Sequence, residues 1–544
     1  MPSIPERIRP TLRVETLVLI VVVYLVASAN GAWWGAVAQG RDWSQPANWL
    51  FMACCFVTLV GLHFTLIAPF AFRGIVRVLL SVLVIVTAAT TYYMHTFAVM
   101  LDPTMIQNVL RTDPHEVRDL LTWGLAGWVV LWSLAPLVFI WLVRLRPIPP
   151  LRALAIRVAW AIGALVIAVL VLLPVSRDFA SFMRNHKQAR YLITPGNLIY
   201  GLASQSMKNV RDVHAPRAVV GADAHRAARP AGARPRVLVL VLGETARAAN
   251  FSLLGYARET NPELAAAGVI AFGDVHSCGT ATEVSVPCMF SPYGRAHYDE
   301  RRIRSSEGLL DVLERAGYEV RWLDNQSGCK GVCKGVEYEK IDASMAPDLC
   351  TGGECRDEVL VRLLAQELGK ASRDTVFVLH MMGNHGPAYY RRYPPAFRRF
   401  LPDCQTAELR DCTREQVVNA YDNAILYTDH VLAGVIGTLA ADTNFDSAML
   451  YVSDHGESLG EHGLYLHGIP YAIAPDLQTH VPLVIWLSDS LVRAKDLDEA
   501  CLRGRTHNQY SHDNLFHSVL GLADVQTTAY LPGKDIFNGC RRGP

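Results

Sequence analysis

The chain has 544 residues, of which 51% are hydrophobic and only 19% are charged, a balance too apolar for an ordinary soluble protein of this length. The formal net charge is +1, so the composition gives no case for nucleic acid, which demands a clustered basic surface. We therefore expect part of the chain to lie in lipid and its partner to be a lipid or a small molecule.

Five hydrophobic stretches in the first third of the chain contain no Asp, Glu, Lys or Arg. Each is about long enough to cross the roughly 30 Å apolar core of a bilayer as a helix. Core helices of a soluble protein are the weaker alternative, because all five stretches crowd together and none follows later. The predicted spans are Thr16 to Trp34, Pro46 to Phe72, Val78 to Leu101, Leu120 to Val143 and Val158 to Ser176.

The arginines between these spans predict the orientation of the chain. Nine fall on one side and three on the other, which places the N-terminus in the cytoplasm and everything after Ser176 outside. Cleavage of a signal peptide after Ala27-Ser28-Ala29 is the alternative, but the four remaining spans would then face the wrong charge bias. The nine are Arg7, Arg9, Arg13, Arg73, Arg77, Arg144, Arg146, Arg152 and Arg157, and the three are Arg41, Arg111 and Arg118.

Cysteine usage tests this orientation independently, because ten of the twelve cysteines follow Ser176. An even number in short-range pairs is typical of disulfides in an oxidising compartment, and a bacterial periplasm fits both observations. A structural zinc site is the alternative, although the spacings do not repeat as CxxC pairs. The connectivity stays open; the simplest pairs are Cys278/Cys288, Cys329/Cys333, Cys350/Cys355 and Cys404/Cys412, with Cys501 and Cys540 unassigned.

Beyond the last span the sequence predicts two further parts. Residues 177–208 mix aromatic and basic side chains, as in a segment that lies along a membrane surface, and an Ala/Arg/Pro-rich stretch follows as a linker. We expect a transmembrane domain over 1–176, an interfacial helix and linker over 177–235, and a folded outer domain over 236–544.

The outer domain alternates short apolar runs with helical patterns, which predicts an α/β fold with a largely parallel sheet. The strands are predicted at 236–242, 269–272, 318–324, 374–380, 448–452 and 482–486, and the helices near 307–316, 354–370, 414–439 and 512–522. Ligands of such sheets gather beyond the carboxyl ends of the strands.

Polar side chains follow four of these strands. They are Glu244, Thr280 or Thr282, His385, and the pair Asp454-His455. Each alone could be a helix cap or a loop residue. Together they form a mixed nitrogen and oxygen set suited to zinc or manganese, with imidazole favouring zinc. A hydroxyl near a divalent cation is also a nucleophile that the cation can activate.

Asp454 and His455 are neighbours, and neighbours on a strand face opposite ways. Both can bind one ion only if the strand has already ended, and Gly456 allows a turn there.

Four motifs in combination carry a specific resemblance. They are GET at 243–245, SCGTATEVSVPCMFS at 277–291, MGNHGP at 382–387 and SDHGESLGEHGLYLHG at 453–468. Together with the five spans, the interfacial segment and the dense cysteines, they resemble the lipid A phosphoethanolamine transferases of the alkaline phosphatase and sulfatase superfamily. The resemblance covers essentially the whole chain. It implies five transmembrane helices in a bacterial inner membrane, followed by a periplasmic alkaline-phosphatase-like domain.

Position by position, the resemblance implies roles for individual residues. Thr282 matches the nucleophile, and with Glu244, Asp454 and His455 it matches the set that holds the catalytic zinc. His385 and His467 match histidines near the phosphoryl group, where they stabilise that group, protonate the leaving oxygen or bind a second zinc. The positions that match those for the donor head group are Asn108, Thr112, Glu116, Ser327 and Lys330.

Two residues of the last motif have open roles. For Glu457 we favour support of the ligands over direct ligation. His462 is either a ligand, part of a second metal site or a surface residue.

The implied reaction moves phosphoethanolamine from phosphatidylethanolamine to lipid A phosphates in a ping-pong cycle through an ester on Thr282. One zinc ion is tightly bound and a second is an open question. The added group masks negative charge and lowers susceptibility to polymyxins, and the protein is expected to act as a monomer.

The external stretch between the third and fourth spans contains Asn108, Thr112 and Glu116 at helical spacing, which predicts one shared face. Glu116 could recognise the ammonium of ethanolamine. Pro114 falls inside this stretch and can interrupt the helix, and a solvated connecting helix is the plainer interpretation.

Several rival functions share parts of this pattern. An enzyme of the same fold could modify a sugar of the lipopolysaccharide core or a periplasmic glucan. A sulfatase is disfavoured because no C/S-x-P-x-R pattern follows the second strand, and a glycerol phosphate transferase of the lipoteichoic type because of the dense cysteines. A non-catalytic binding module is disfavoured by the intact Glu244, Thr282, Asp454 and His455.

Overall fold

The computed structural model describes residues 10–112, 114–212 and 216–542. The chain divides into two compact units, one of Met1–Ile106 with Leu121–Met207 and one of Gln107–Leu120 with Lys208–Pro544. We call them the membrane unit and the sheet unit. The segment 107–120 therefore packs with the sheet unit, although it lies between hydrophobic helices in sequence, and residues 177–207 group with the membrane unit.

The first ten helices cover the amino-terminal part of the chain. They are α1 Val14–Ser28, α2 Gly31–Ala38, α3 Pro46–Ile67, α4 Val76–Phe97, α5 Pro103–Arg111, α6 Pro114–Leu120, α7 Trp123–Leu142, α8 Pro150–Leu172, α9 Ser176–Asn185 and α10 Gly196–Asp212.

Four of the five predicted spans are continuous helices long and apolar enough to cross a membrane: Pro46–Phe70, α4, α7 and Pro150–Asn185. The first predicted span differs, because α1 and α2 meet at a bend of 58°. Asn30 lies at that bend, and its buried amide donates to Thr194 O at 2.9 Å and accepts from Thr194 N at 2.8 Å. The same amide also donates to Val26 O at 3.3 Å, so Asn30 links the end of α1 to the segment around Thr194.

The remaining helices belong to the sheet unit. They are α11 Pro262–Ala266, α12 Thr282–Met289, α13 Glu300–Arg304, α14 Leu309–Arg315, α15 Glu358–Leu368, α16 Arg414–Ala441, α17 Asp476–Thr479, α18 Asp489–Ala494, α19 Glu499–Gly504 and α20 Leu515–Leu522. Helix α16 also has the length and hydropathy of a membrane span, but most of its residues are buried inside the protein. It is a core helix against the sheet.

The main sheet has seven strands in the order β2-β7-β6-β1-β5-β3-β4. In chain order they are β1 Arg236–Gly243, β2 Ile270–Phe272, β3 Glu319–Asp324, β4 Glu337–Lys340, β5 Thr375–His380, β6 Asp446–Ser453 and β7 Leu483–Leu487. Strands β6, β1, β5, β3 and β4 run parallel, and β7 is antiparallel to both of its neighbours. The predicted fold class, a largely parallel sheet flanked by helices after hydrophobic helices, is confirmed.

Burial explains the continuous apolar runs of the central strands. Every residue of β1, β5 and β6 is buried, as expected where helices cover both faces of a parallel sheet. Because β6, β1, β5 and β3 run parallel, their carboxyl ends lie at the same edge of the sheet.

Five disulfides lie in the sheet unit: Cys278–Cys288, Cys329–Cys333, Cys350–Cys355, Cys404–Cys412 and Cys501–Cys540. The first brackets the start of α12, and the second brackets the loop that carries Lys330. Cys54 and Cys55, in α3, are buried free thiols.

Candidate metal centre

The end of β6 delivers Asp454 and His455 to the sheet edge. The strand stops at Ser453, so the two residues are free of its alternation. A Cβ on Gly456 would lie 2.1 Å from the carbonyl oxygen of Leu477, a contact that only glycine avoids. The chain therefore turns directly after His455, and Asp454 Oδ1 accepts hydrogen bonds from the amides of Thr245 and His455 at 3.1 and 2.7 Å.

Glu244 follows β1 and is fully buried. Its Oε2 accepts from Gln326 Nε2 at 2.8 Å, and its Oε1 accepts from the hydroxyl of Thr245 at 2.5 Å. The loop after β5, which carries His385, passes close by. Gly383 has φ +56°, and a Cβ there would lie 2.7 Å from Glu244 O, so glycine is required for this approach.

Thr282 is the first residue of α12, next to Glu244 and His455. Its Oγ1 lies 3.2 Å from Glu244 Oε2, 3.4 Å from Glu244 Oε1 and 3.4 Å from His455 Nε2. His455 Nε2 is in turn 3.4 Å from Glu244 Oε1 and 3.3 Å from Asp454 Oδ2. Four side chains from three separate segments thus converge on one point.

These spacings fit a tetrahedral metal site. Ligand atoms about 2.0–2.1 Å from a zinc ion are separated by edges of about 3.3–3.4 Å. Glu244, Asp454 and His455 each offer a ligand atom within 4.8 Å of the others. Among the residues that the structure describes, none donates a hydrogen bond to the buried Asp454 Oδ2, although His455 Nε2 is 3.3 Å away. A buried carboxylate oxygen with no donor is a group that a cation satisfies.

The electrostatics of the metal-free cluster lead to the same conclusion. Burial and the neighbouring charge of Glu244 raise the pKa of Asp454 well above its usual range. Burial acts against ionisation of Glu244 as well, but the surrounding histidines outweigh it and lower the pKa of Glu244 to about 2. Burial also lowers the pKa of His455 to about 4, which keeps its ring neutral as a ligand must be. Two carboxylates this close and this deeply buried repel each other, and a divalent cation between them would offset that repulsion.

His385 and His467 lie beside this cluster. The ring centroids of His455 and His467 are 4.2 Å apart, and those of His385 and His467 are 5.7 Å apart. His467 Nδ1 is 3.4 Å from Glu457 Oε1. Burial opposes a charge on His467, but Glu457 outweighs it and raises the pKa of His467 to about 9, whereas burial lowers the pKa of His385 to about 3.

Glu457 and His462, whose roles the sequence left open, lie in different environments. Glu457 is fully buried behind His467, where it can orient that ring. His462 is exposed, at φ 53°, in a turn.

Ser327 and Lys330 are close together after β3. Lys330 Nζ donates to Ser327 Oγ at 2.5 Å and lies 3.6 Å from Glu283 Oε1. Because Glu283 adjoins Thr282 in sequence, both residues are near the start of α12.

The single helical face predicted for Asn108, Thr112 and Glu116 is wrong. Helix α5 ends at Arg111 and α6 begins at Pro114, because proline cannot continue the hydrogen-bond ladder. Thr112 Oγ1 donates to Asn108 O at 2.7 Å in the connection. The side chain of Glu116 lies outside the described residues.

Sequence reasoning missed Gln326, which hydrogen-bonds Glu244, and Glu283, which gathers the cations beside Thr282. Gln326 stands two residues past the end of β3, so the strand-end rule could have found it. Glu283 gave no signal of its own, because its partners are distant in sequence.

A parallel α/β sheet with a metal-binding cluster and a hydroxyl at its carboxyl edge defines an enzyme of the alkaline phosphatase and sulfatase superfamily. Comparison agrees: residues 236–525 match the sulfatase family, and residues 59–209 match the family described as phosphoethanolamine transferase EptA/EptB.

Similar proteins extend this match to the whole chain. The phosphoethanolamine transferase EptA of Salmonella typhimurium is 41% identical over 98% of each chain. The phosphatidylethanolamine transferase Mcr-1 of Escherichia coli is 36% identical over 94% of each chain. The solved structure of the integral membrane lipooligosaccharide phosphoethanolamine transferase A of Neisseria meningitidis superposes with a TM-score of 0.92 at 37% identity, covering 98% of this chain and 100% of that one. The chain therefore belongs to the phosphoethanolamine transferase family.

Proposed function

We propose that this enzyme transfers phosphoethanolamine from phosphatidylethanolamine to phosphate groups of lipid A. The observation that carries the proposal is the convergence of the Thr282 hydroxyl with Glu244 and His455 at 3.2–3.4 Å, in a chain similar to these transferases along its whole length. The donor is supported by the name of the 36% identical relative, and a lipid-linked acceptor by that of the Neisseria structure. Charge masking on lipid A is the basis for lowered susceptibility to polymyxins.

The proposed location is a bacterial inner membrane, with the N-terminus in the cytoplasm and the sheet unit in the periplasm. The nine-to-three arginine bias supports this orientation. So do the five disulfides, which persist in an oxidising compartment. The proposed division of labour is anchoring by 1–176, surface contact and linkage by 177–235, and catalysis by 236–544. We propose that one chain acts alone.

We propose zinc as the metal, held by Glu244, Thr282, Asp454 and His455. When bound, zinc supplies positive charge that lowers the pKa of a neighbouring hydroxyl and offsets negative charge on a transferring phosphate. One zinc ion suits these four residues, and His385 with His467 offers nitrogen atoms for a second.

In the first half of the proposed cycle, Thr282 Oγ1 attacks the phosphorus of phosphatidylethanolamine. The bond from phosphorus to the diacylglycerol oxygen breaks, and phosphoethanolamine remains as an ester on Thr282. His467, whose charged form Glu457 favours, donates the proton that diacylglycerol takes with it. The proton released by the Thr282 hydroxyl then restores the charged form of His467, so the half-reaction moves one proton from Thr282 to diacylglycerol. His385 accepts or donates a hydrogen bond at the oxygens of the transferring group.

In the second half, a phosphate oxygen of lipid A attacks the same phosphorus, and the bond from phosphorus to Thr282 Oγ1 breaks. The proton of the attacking phosphate, relayed by His467, regenerates the Thr282 hydroxyl. Ser327, Lys330, Asn108, Thr112 and Glu116 are proposed to hold the donor head group, with acidic and hydroxyl groups toward the ammonium.

The test is transfer by the purified full-length enzyme. Phosphatidylethanolamine labelled in its head group is incubated with lipid A, with lipopolysaccharide that carries its core sugars, or with periplasmic glucan. We expect label on lipid A phosphate. Label only on a core sugar or on glucan would contradict the proposed acceptor while leaving the donor reaction intact.

A further inference from the structure

The segment 107–120 is fastened within the sheet unit by ion pairs near both of its ends. Near its start, Arg111 Nη1 lies 2.8 Å from Glu283 Oε2. Near its end, Asp119 pairs with Arg391 and lies 2.8 Å from Arg392 Nη2. We call these contacts the first clamp and the second clamp. Each joins the segment to a part of the chain more than 170 residues away.

The first clamp ends beside the nucleophile. Glu283 directly follows Thr282, and its side chain is only 6% exposed. Its carboxylate meets three cations: Arg111, Arg304 Nη2 at 3.1 Å and Lys330 Nζ at 3.6 Å. One buried carboxylate thus connects the segment, the start of α12 and the loop after β3. Removing this charge leaves three cations facing one another.

The second clamp ends beside a phosphoryl-site histidine. The side chains of Asp119 and Arg392 are 2% and 3% exposed. Arg392 Nε donates to the backbone oxygen of His385 at 2.9 Å. Because a buried charge without its partner is costly, Asp119 and Arg392 hold each other firmly, and the position of the segment is coupled to the backbone of His385.

We infer that four positioning residues fix the position of segment 107–120 relative to Thr282 and His385. They are Arg111, Glu283, Asp119 and Arg392. The inference rests on the proposed function, because the segment carries Asn108 and Thr112, which that function assigns to the donor head group. The clamps fix where the head group lies relative to the attacking oxygen, as precise placement of a bound substrate requires. They act on donor binding, and the metal cluster performs the chemistry.

A double-mutant cycle on the first clamp tests this inference. Arg111→Ala, Glu283→Ala and the double variant are purified at full length, and steady-state diacylglycerol release is measured over a range of phosphatidylethanolamine concentrations at a fixed, saturating concentration of lipid A. Each single variant is expected to raise KM for the donor about tenfold, as loss of a charged hydrogen bond does, with kcat changed much less. The double variant should match Glu283→Ala, because that substitution already removes the pair with Arg111 as well as the contacts with Arg304 and Lys330.

Two conservative variants and one control complete the design. Arg111→Lys keeps the cation and should recover most of the donor affinity. Asp119→Asn tests the second clamp and should also raise KM. Arg217→Ala breaks a comparable pair, in which Arg217 lies 2.7 Å from Asp311, elsewhere in the same unit, and its KM should match that of the wild type.

Hydrogen exchange of the full-length variants separates positioning from general unfolding. Amides of 107–120 should exchange faster in Arg111→Ala, while those of β1, β5 and β6 stay protected. Unchanged KM in both single variants, or a double variant whose KM rises by the product of the two, would overturn the inference. A wild-type enzyme that releases no diacylglycerol would instead refute the proposed function itself.

Discussion

The residues proposed to hold the metal and segment 107–120 serve the same proposed reaction, but different interactions keep them in place. Glu244, Asp454 and His455 are fully buried and follow directly from strands whose backbone fixes them. The segment consists of two short helices attached by ion pairs, with Arg111 still 40% exposed on its side chain. The strands of the sheet therefore position the proposed catalytic residues, whereas ion pairs between residues distant in sequence position the proposed donor contacts.

The largest effect is expected for Thr282→Ala. The substitution removes the proposed attacking oxygen, so diacylglycerol release should fall by about a thousandfold or more. Thr280→Ala is the matched control, because its hydroxyl is donated to Ile469 O at 2.7 Å and is not part of the cluster. A Thr282→Ala enzyme with most of its activity would move the nucleophile elsewhere.

Asp454→Asn should remove the metal. The substitution keeps the size of the side chain but removes the charge of a proposed ligand. The affinity of the protein for zinc should therefore fall by about a hundredfold, and the activity should fall with it. Metal content after dialysis, measured by plasma mass spectrometry, gives the result. Asp429→Asn changes another buried carboxylate, which accepts from the amides of Glu263 and Leu264, and should leave the zinc content unchanged.

Gly456→Ala should disturb the backbone that presents the ligands. A Cβ 2.1 Å from Leu477 O forces the turn to move, at a cost of about 3 kcal/mol in the free energy of unfolding. The control is Gly437→Ala within α16, where a Cβ meets nothing within 4 Å. That change should stabilise the protein by about 0.5–1 kcal/mol through helix propensity. Equal effects of the two changes in denaturant unfolding would contradict the assigned role of the turn.

The smallest effect is a pH dependence of the metal-free protein. The folded pKa of His467, about 9, lies above its ordinary value of 6.5, so the folded state binds the extra proton between these values. The resulting stabilisation is complete below about pH 6.5 and is lost as pH rises through about 9. Glu457→Gln should flatten this loss by roughly 1–3 kcal/mol, measured by unfolding at several pH values. A slope unchanged by the substitution would assign the proton elsewhere.

The sequence alone predicted the residues at the strand ends and the hydrophobic spans. Glu244, Asp454 and His455 could be found because apolar runs end immediately before them and parallel strands share an edge. The hydrophobic spans could be found because lipid demands long uncharged helices. Both patterns are local and periodic, which makes them readable from one chain.

What the sequence could not predict depends on contacts across long separations. Glu283 looks like an ordinary first-turn acid of α12, and only the fold reveals Arg111 and Arg304 around it. The bend between α1 and α2 likewise depends on Asn30 meeting Thr194. The break before Pro114 is different, because proline is a local signal that the sequence already showed.

Intact-mass spectrometry of the zinc-loaded full-length protein, incubated with phosphatidylethanolamine alone beside Thr282→Ala, tests the central claim most directly. We expect a phosphoethanolamine adduct on the wild type that is missing from the variant. A folded, zinc-loaded wild type that gains no adduct, yet transfers phosphoethanolamine once lipid A is added, would contradict an ester on Thr282 and require direct transfer.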